Sequence, residues 1–585
     1  MVCKAKNVKR KSKIQNPKSK IPKGHFVQNR KWVWWASALL PASFLLLFYF
    51  YPLASIFKLS FAPAGRLDLS ALERLVTGSY YLQTLWFTVW QAALSTLLTL
   101  ALALPGAYVF ARYRFAGKRL LLAAATVPFV LPTIVVANAF SALLGPRGLL
   151  NDLLVGLFQL DAPPVQLQHS LAMILLAHVF YNYAIVLRLV GGFWANLNPQ
   201  LVEAGQMLGA SPWRTFWQIT VPLLLPAIGA AALLVFIFCF TSFGVILILG
   251  GPQFATLEVE IYRQAVNLFN LPVAAALSMV QIIFIFGLML VYTRLQARSS
   301  RPLNLRSQQA NQRPARTRRE KLLVGSSIGL MLALLVTPLA ALVLRSVTVA
   351  GQLSLSSYRA LLVGDARQQS LFFVPPTEGI RNSLLFAGST VIAASLLGLL
   401  VVLALTAASR PAKFSALFDA VFMLPLATSA VTLGFGYIIA LNQPPLNLRT
   451  SPLLVVIAHT LVALPFVVRS LLPAVRSIQP SLREAAAILG ASPARVWREI
   501  DLPIASRALL VGAVFAFTVS MGEFGATVFI ARPDTPTMPV AIFRFLGQPG
   551  ALNYGQALAM SAILMAVCAV GFLVIERFRI GNSEF

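Results

Sequence analysis

The sequence predicts an all-α polytopic membrane protein with about 12 transmembrane helices, arranged as two homologous six-helix halves related by a parallel pseudo-two-fold. Three observations lead there. Of 585 residues, 58% are apolar and only 11% are charged, whereas soluble domains carry roughly a quarter charged residues. The apolar residues fall in long unbroken runs, and the second half of the chain repeats the first. A surface facing water cannot be assembled from such a composition, so a soluble enzyme, a disordered scaffold and a disulfide-stapled secreted protein are all excluded. Cys3, Cys239 and Cys568 lie far apart and read as small packing residues.

The chain opens on a basic tail, residues 1–31, with eleven Lys or Arg and no acid. A second basic segment, residues 294–321, carries nine against Glu320 alone. Together they account for much of the formal charge of +30. Their placement beside apolar runs points to cytoplasmic loops and anionic lipid rather than to nucleic acid. The tail is too long for the basic region of a secretory signal, and no small-residue cleavage pattern follows the first span, so it is expected to be retained.

A hydrocarbon core of about 30 Å takes about 20 residues of helix. Six runs qualify before the middle segment, at 32–51, 84–111, 120–144, 170–187, 222–249 and 272–292. Six follow it, at 322–344, 382–409, 420–441, 452–468, 508–530 and 554–575. Continuous runs exclude the alternation of a barrel strand, so all twelve are expected to be helices. Six crossings return the chain to the side of its basic tail, which satisfies the positive-inside rule and puts both termini in the cytoplasm. The halves are then 32–293, with a core at 84–293, and 322–585, with a core at 382–576. Residues 294–321 link them.

A fixed offset of 281 aligns the halves without a gap over a long stretch. Ala177-His178 falls on Ala458-His459, Arg188 on Arg469, Leu208-Gly-Ala-Ser-Pro212 on Leu489-Gly-Ala-Ser-Pro493, and Phe243-Gly244 on Phe524-Gly525. Equal numbers of crossings give both halves one orientation, and a route for solute can form where they meet.

The connection after the fourth span carries the most information. It reads Glu203-Ala-Gly-Gln-Met-Leu-Gly209-Ala-Ser-Pro-Trp-Arg-Thr-Phe-Trp-Gln-Ile219-Thr-Val-Pro222 in one half. In the other it reads Glu484-Ala-Ala-Ala-Ile-Leu-Gly490-Ala-Ser-Pro-Ala-Arg-Val-Trp-Arg-Glu-Ile500-Asp-Leu-Pro503. A short helix ends at glycine, Ser-Pro caps a second one, and a proline opens the next span. The product is a helix pair projecting from the membrane, with Glu203 or Glu484 offered to a soluble partner.

This pattern, E-A-A followed after three residues by G, after nine more by I and after two more by P, resembles the coupling motif of permease subunits in binding-protein-dependent ABC importers. The first copy departs from it in having Gly205 for the second alanine. The resemblance implies a type I importer permease fold in the bacterial inner (plasma) membrane, two copies of a cytoplasmic ABC ATPase, and a periplasmic substrate-binding protein. It assigns ATPase coupling to Glu203, Ala204, Gly209, Ile219 and Pro222, and to Glu484, Ala485, Ala486, Gly490, Ile500 and Pro503. No G-x-x-x-x-G-K-[ST] occurs in the chain, so ATP-Mg is expected on the partner, with no cofactor, metal or catalytic residue in this subunit. A fused pair of six-span halves is similar to the thiamine and ferric iron permeases. Thiamine is the expected solute, from residues 176–182 and 250–262, and ferric iron the alternative. An ion-coupled secondary transporter of 6+6 helices is the alternative of another class, but it would need several buried acids where the spans offer Glu523 and Asp419.

For the translocation path the candidates are Glu523, an acid inside an apolar run, its repeat counterpart Ser242, and the adjoining Phe243 and Phe524. Glu258 and Glu260, after the fifth span, are expected on the outer side as docking points for the binding protein. His178 and His459 lack neighbours at ligand spacing and read as packing residues. Trp86, Trp90, Tyr181 and Tyr183 read as interface anchors, with stacking on a cationic ring as the other possibility.

Overall fold

The computed structural model describes residues 30–580 apart from 64, 300–311, 350, 363–374, 407–411, 443 and 445. The tail 1–31 therefore lies almost wholly outside the described residues, as do Cys3 and the middle of the 294–321 linker. Among the described residues, eleven helices are long and apolar enough to cross a membrane, or twelve if one bent pair counts as a span.

Each half is built on the same three long helices. In the first, Ser79–Arg112, Leu171–Ala195 and Val221–Phe240 pack on one another; in the second, Pro376–Thr406, Leu453–Arg476 and Leu502–Gly522 do so. The reason is legible along Ser79–Arg112, where Thr84, Thr88, Gln91, Ser95 and Thr99 are all buried at helical spacing. In lipid, apolar side chains gain little by leaving one another's company, and small polar stripes let backbones approach and bond across the seam. The hydroxyls of Thr88, Thr96 and Thr99 satisfy themselves on carbonyls four residues back, and Gln91 Nε2 donates to the Cys239 carbonyl across the seam at 3.0 Å.

The leading helices exchange partners between halves. Residues 30–61 pack on Pro376–Thr406 and Ala430–Ala440 of the second half, with the Tyr49 hydroxyl 2.6 Å from the Thr428 hydroxyl. The helices within 318–346 pack on Ser79–Arg112 and Thr133–Leu144 of the first half, and Arg345 pairs with Asp152 at 2.6 Å. Behind the undescribed part of the linker, Arg313-Pro314 pairs in parallel with Tyr113-Arg114, and Arg313 lies over the Tyr113 ring. Lys118 donates to the Tyr113 carbonyl there, and burial, reinforced by the neighbouring Arg114, lowers its ammonium pKa to about 8.

Apart from a one-residue step at Val336 between Arg318–Leu335 and Thr337–Ser346, four of the expected helices are broken. Residues 120–144 divide into Lys118–Ala124, Val127–Val130 and Thr133–Leu144; the first break, at Ala125-Thr126, precedes Pro128 in the first turn of the next helix, and the second falls at Leu131-Pro132, proline being unable to extend a preceding helix. Residues 420–441 bend by 97° between Phe418–Leu426 and Ala430–Ala440. The fifth span of each half stops early, at Phe240 and at Gly522, and resumes at Gly244–Leu249 and Thr527–Ile530. Non-helical backbone at membrane depth is tolerated only inside protein or beside a water-filled space, and these breaks all meet at one place between the halves.

Candidate functional site

The two connections, residues 203–222 and 484–503, fold alike. Pro199–Met207 and Pro480–Ile488 are helices that end at Gly209 and Gly490, whose φ of 86° and 81° suits glycine. Ala210 N reaches back to the Gly205 carbonyl at 3.1 Å and Ala491 N to the Ala486 carbonyl at 3.0 Å, closing each helix in a Schellman turn. Ser211 and Ser492 then accept from the amides of Arg214 and Arg495. Each loop enters its span through a π-helical turn, Phe216–Thr220 or Trp497–Asp501, followed at once by Pro222 or Pro503.

Glu203, Ala204, Glu484 and Ala485 are exposed, and Ile219 and Ile500 are half-buried behind them. Gly205 has a reason: a Cβ there would stand 2.7 Å from Ile219 Cδ1. In the second loop Ala486 fits, and Arg483 Nε bonds Asp501 at 2.8 Å, where the first loop has Val202 and Thr220. The tips are apolar and bare, with Leu208 89% and Leu489 87% exposed. Paired apolar tips in water need a cover.

Between the halves lies a cavity of about 360 Å³. The four path candidates, Ser242, Phe243, Glu523 and Phe524, all line it. They sit in the helix breaks, and the Phe243 and Phe524 rings stack across the pseudo-axis with centroids 5.6 Å apart and planes 25° apart. The glycines beside them allow the approach: a Cβ on Gly244 would meet Thr133 Oγ1 at 2.3 Å and Phe524 at 3.3 Å.

Glu523 accepts hydrogen bonds from the amides of Ala526 and Thr527 at 2.9 and 3.0 Å and from the Thr527 hydroxyl. Its carboxylate caps the short helix Thr527–Ile530. His459 Nε2 lies 2.8 Å from Thr527 Oγ1 and 3.6 Å from the Glu523 carboxylate, and its Nδ1 lies 2.7 Å from Ser520 Oγ. His178 Nδ1 is held similarly by Ser95 Oγ at 2.8 Å. Among the described residues, no group of three or more His, Cys, Asp or Glu is placed to hold a metal ion.

Glu258 and Glu260 are corrected by the structure: both are fully buried, at 0% exposure, and offer no carboxylate to a docking protein. After the fifth span the chain turns back into the bundle as Leu257–Tyr262, fixed by Leu257 N donating to Thr88 Oγ1 at 3.0 Å. Glu260 accepts from Tyr80 and Gln264 at 2.8 and 2.6 Å. Glu258 lines the central cavity, accepting from Gln281 of its own half and from Ser429 of the other, the latter at 2.8 Å. Gln281, a lone amide in an apolar span, was the available signal for this site. Five further rings, Phe129, Tyr181, Phe238, Phe466 and Phe515, complete an aromatic wall, and among the described residues no Lys or Arg lines the cavity. Of the other aromatic candidates, Tyr183 is buried against Gly106, and Trp86 and Trp90 are exposed on the outer surface of the bundle.

The family described as binding-protein-dependent transport system inner membrane component matches twice, over residues 103–301 and 383–579. The chain belongs to this family. It is a fused two-half permease of an ABC importer, a multi-pass inner-membrane protein, and the secondary-transporter alternative falls away. It is similar to the thiamine transport system permease protein ThiP of Brucella abortus (strain 2308), 27% identical with 85% of this chain and 88% of that one covered. ThiP of Escherichia coli (strain K12) is also 27% identical, over 85% and 89%. Among solved structures, a bacterial ABC transporter involved in alginate import aligns with a TM-score of 0.40 and 18% identity, over 47% of this chain and 98% of that chain.

Proposed function

We propose that this permease imports thiamine, delivered by a periplasmic binding protein and driven by two copies of a cytoplasmic ABC ATPase that bind the ATP-Mg. One observation carries the reading: the interface cavity combines seven aromatic rings and two carboxyl groups with no lysine or arginine among the described residues that line it. Aromatic faces and acids favour an organic cation with a delocalised ring, such as thiazolium. Ferric iron, a hard cation, is matched by a shell of oxygen ligands instead, and Glu258 and Glu523 are each already engaged by their own donors. The names of the two ThiP relatives agree with the thiamine reading.

The fifth spans give the mechanism a lever. Each runs as one helical rod from its coupling loop, residues 212–240 and 494–522, to the break that bears Phe243 or Phe524. Closure of the ATPase pair on the two loops displaces the rods at their cytoplasmic ends and parts the stacked rings at the other, with both termini of the chain in the cytoplasm. A stiff helix transmits that displacement without intermediate parts. The test is uptake by proteoliposomes holding the permease, its ATPase and its binding protein. Labelled thiamine enters with ATP inside and is displaced by unlabelled thiamine but not by ferric citrate; ATP-dependent uptake of iron with none of thiamine overturns the assignment.

A further inference from the structure

The repeat places a histidine at the same point of each half, and the two are not finished alike. Both rings are oriented through Nδ1 by a serine hydroxyl, Ser95 at 2.8 Å and Ser520 at 2.7 Å. His459 Nε2 is then closed by Thr527 Oγ1 at 2.8 Å. At the offset of 281 the residue corresponding to Thr527 is Ile246, which has no hydroxyl. His178 Nε2 accordingly has no hydrogen-bond partner among the described residues, although the side chain is only 2% exposed and lies on the wall of the central cavity. An unpaired buried polar atom is destabilising, and a bound ligand that reaches it relieves that cost.

We propose that His178 is a specificity-determining contact for the solute, pairing through Nε2 with the polar edge of a heteroaromatic ring. The inference rests on the thiamine reading and deepens it, because the aminopyrimidine of thiamine presents a ring nitrogen beside an amine. A neutral imidazole donates or accepts at Nε2 according to its tautomer, so either atom of that edge finds a match. Glu258 and the aromatic wall take the cationic ring, and His178 reads the other one.

Two variants test this in the reconstituted importer, with uptake compared for thiamine and for an analogue whose pyrimidine amine is replaced by a carbonyl oxygen. His178→Ala removes the contact. Ile246→Thr leaves the imidazole in place and supplies the internal hydroxyl that the second half already has. Each is expected to lower thiamine uptake about fivefold, the worth of one hydrogen bond. Each also shifts the thiamine-to-analogue ratio to the one set by the binding protein alone, measured by titrating that protein with both compounds. Insertion and ATPase co-purification stay normal with Ile246→Thr. Inserted, ATPase-bound variants that keep the wild-type ratio overturn the role of His178 while thiamine import stands. A wild-type importer that moves no thiamine overturns both.

Discussion

Glu523 illustrates what a single acid needs in order to remain at membrane depth. Two amides and a hydroxyl donate to it, and a histidine stands behind the hydroxyl. Glu523→Gln keeps the shape and removes the charge, so thiamine uptake should fall about tenfold with the inserted amount unchanged, corresponding to roughly 1.4 kcal/mol of lost attraction for the cation. Glu523→Ala should additionally lower the melting temperature in detergent, since it strands two buried amides at about 1–3 kcal/mol each. Backbone crossings give a separate residue-scale test. A Cβ on Gly434 would sit 2.8 Å from Ala526 Cα and 2.8 Å from its carbonyl oxygen, whereas at Gly388 nothing lies within 4 Å. Gly434→Ala should therefore destabilise by about 1–3 kcal/mol, and Gly388→Ala should leave the melting curve in place. Neither contrast can be seen in the sequence, because an apolar run gives no sign of which of its glycines another backbone will touch.

At the scale of elements, the local geometry of the two loops, residues 203–222 and 484–503, was readable almost whole: glycine at the left-handed position, serine as cap and proline at the span entrance each have a local cause. Glu203→Lys combined with Glu484→Lys should leave the permease inserted but free of ATPase on co-purification; retention of both ATPase and uptake would remove these acids from the contact. Gly209→Ala with Gly490→Ala forces two left-handed residues to carry a Cβ, at about 1–2 kcal/mol each, and should weaken coupling, read as ATP hydrolysed per thiamine moved. The spans were readable from length and composition, but their interruptions were not. Thr241-Ser242-Phe243 and Glu523-Phe524 lie in runs whose hydropathy is that of a helix, and only the meeting of the halves makes a break there tolerable. Glu258 and Glu260 were misplaced for a related reason. Charge beyond a span ordinarily marks a loop in water, and here Gln264 one turn on and three polar side chains from elsewhere in the fold, Tyr80, Gln281 and Ser429, make burial tolerable.

At the scale of the molecule, the stacked Phe243 and Phe524 rings predict a state-dependent distance. With cysteine at both positions, a short bifunctional thiol reagent should join them in the resting importer and fail to do so once ATP has closed the ATPase pair; equal yield in both states would place the moving constriction elsewhere. The exchange of leading helices between halves also governs how the chain is made. Residues 30–61 reach the bilayer first; Tyr51–Phe61 finds Leu271–Ser299 within the first half, but the helix that Arg30–Leu45 packs on, Pro376–Thr406, is not synthesised until the second half. At about 5–20 residues per second the delay is roughly fifteen seconds to a minute. Throughout it one flank of the first span stays bare in lipid, its Tyr49 hydroxyl still without Thr428, so a chain cut short before the second half leaves its own beginning half-packed.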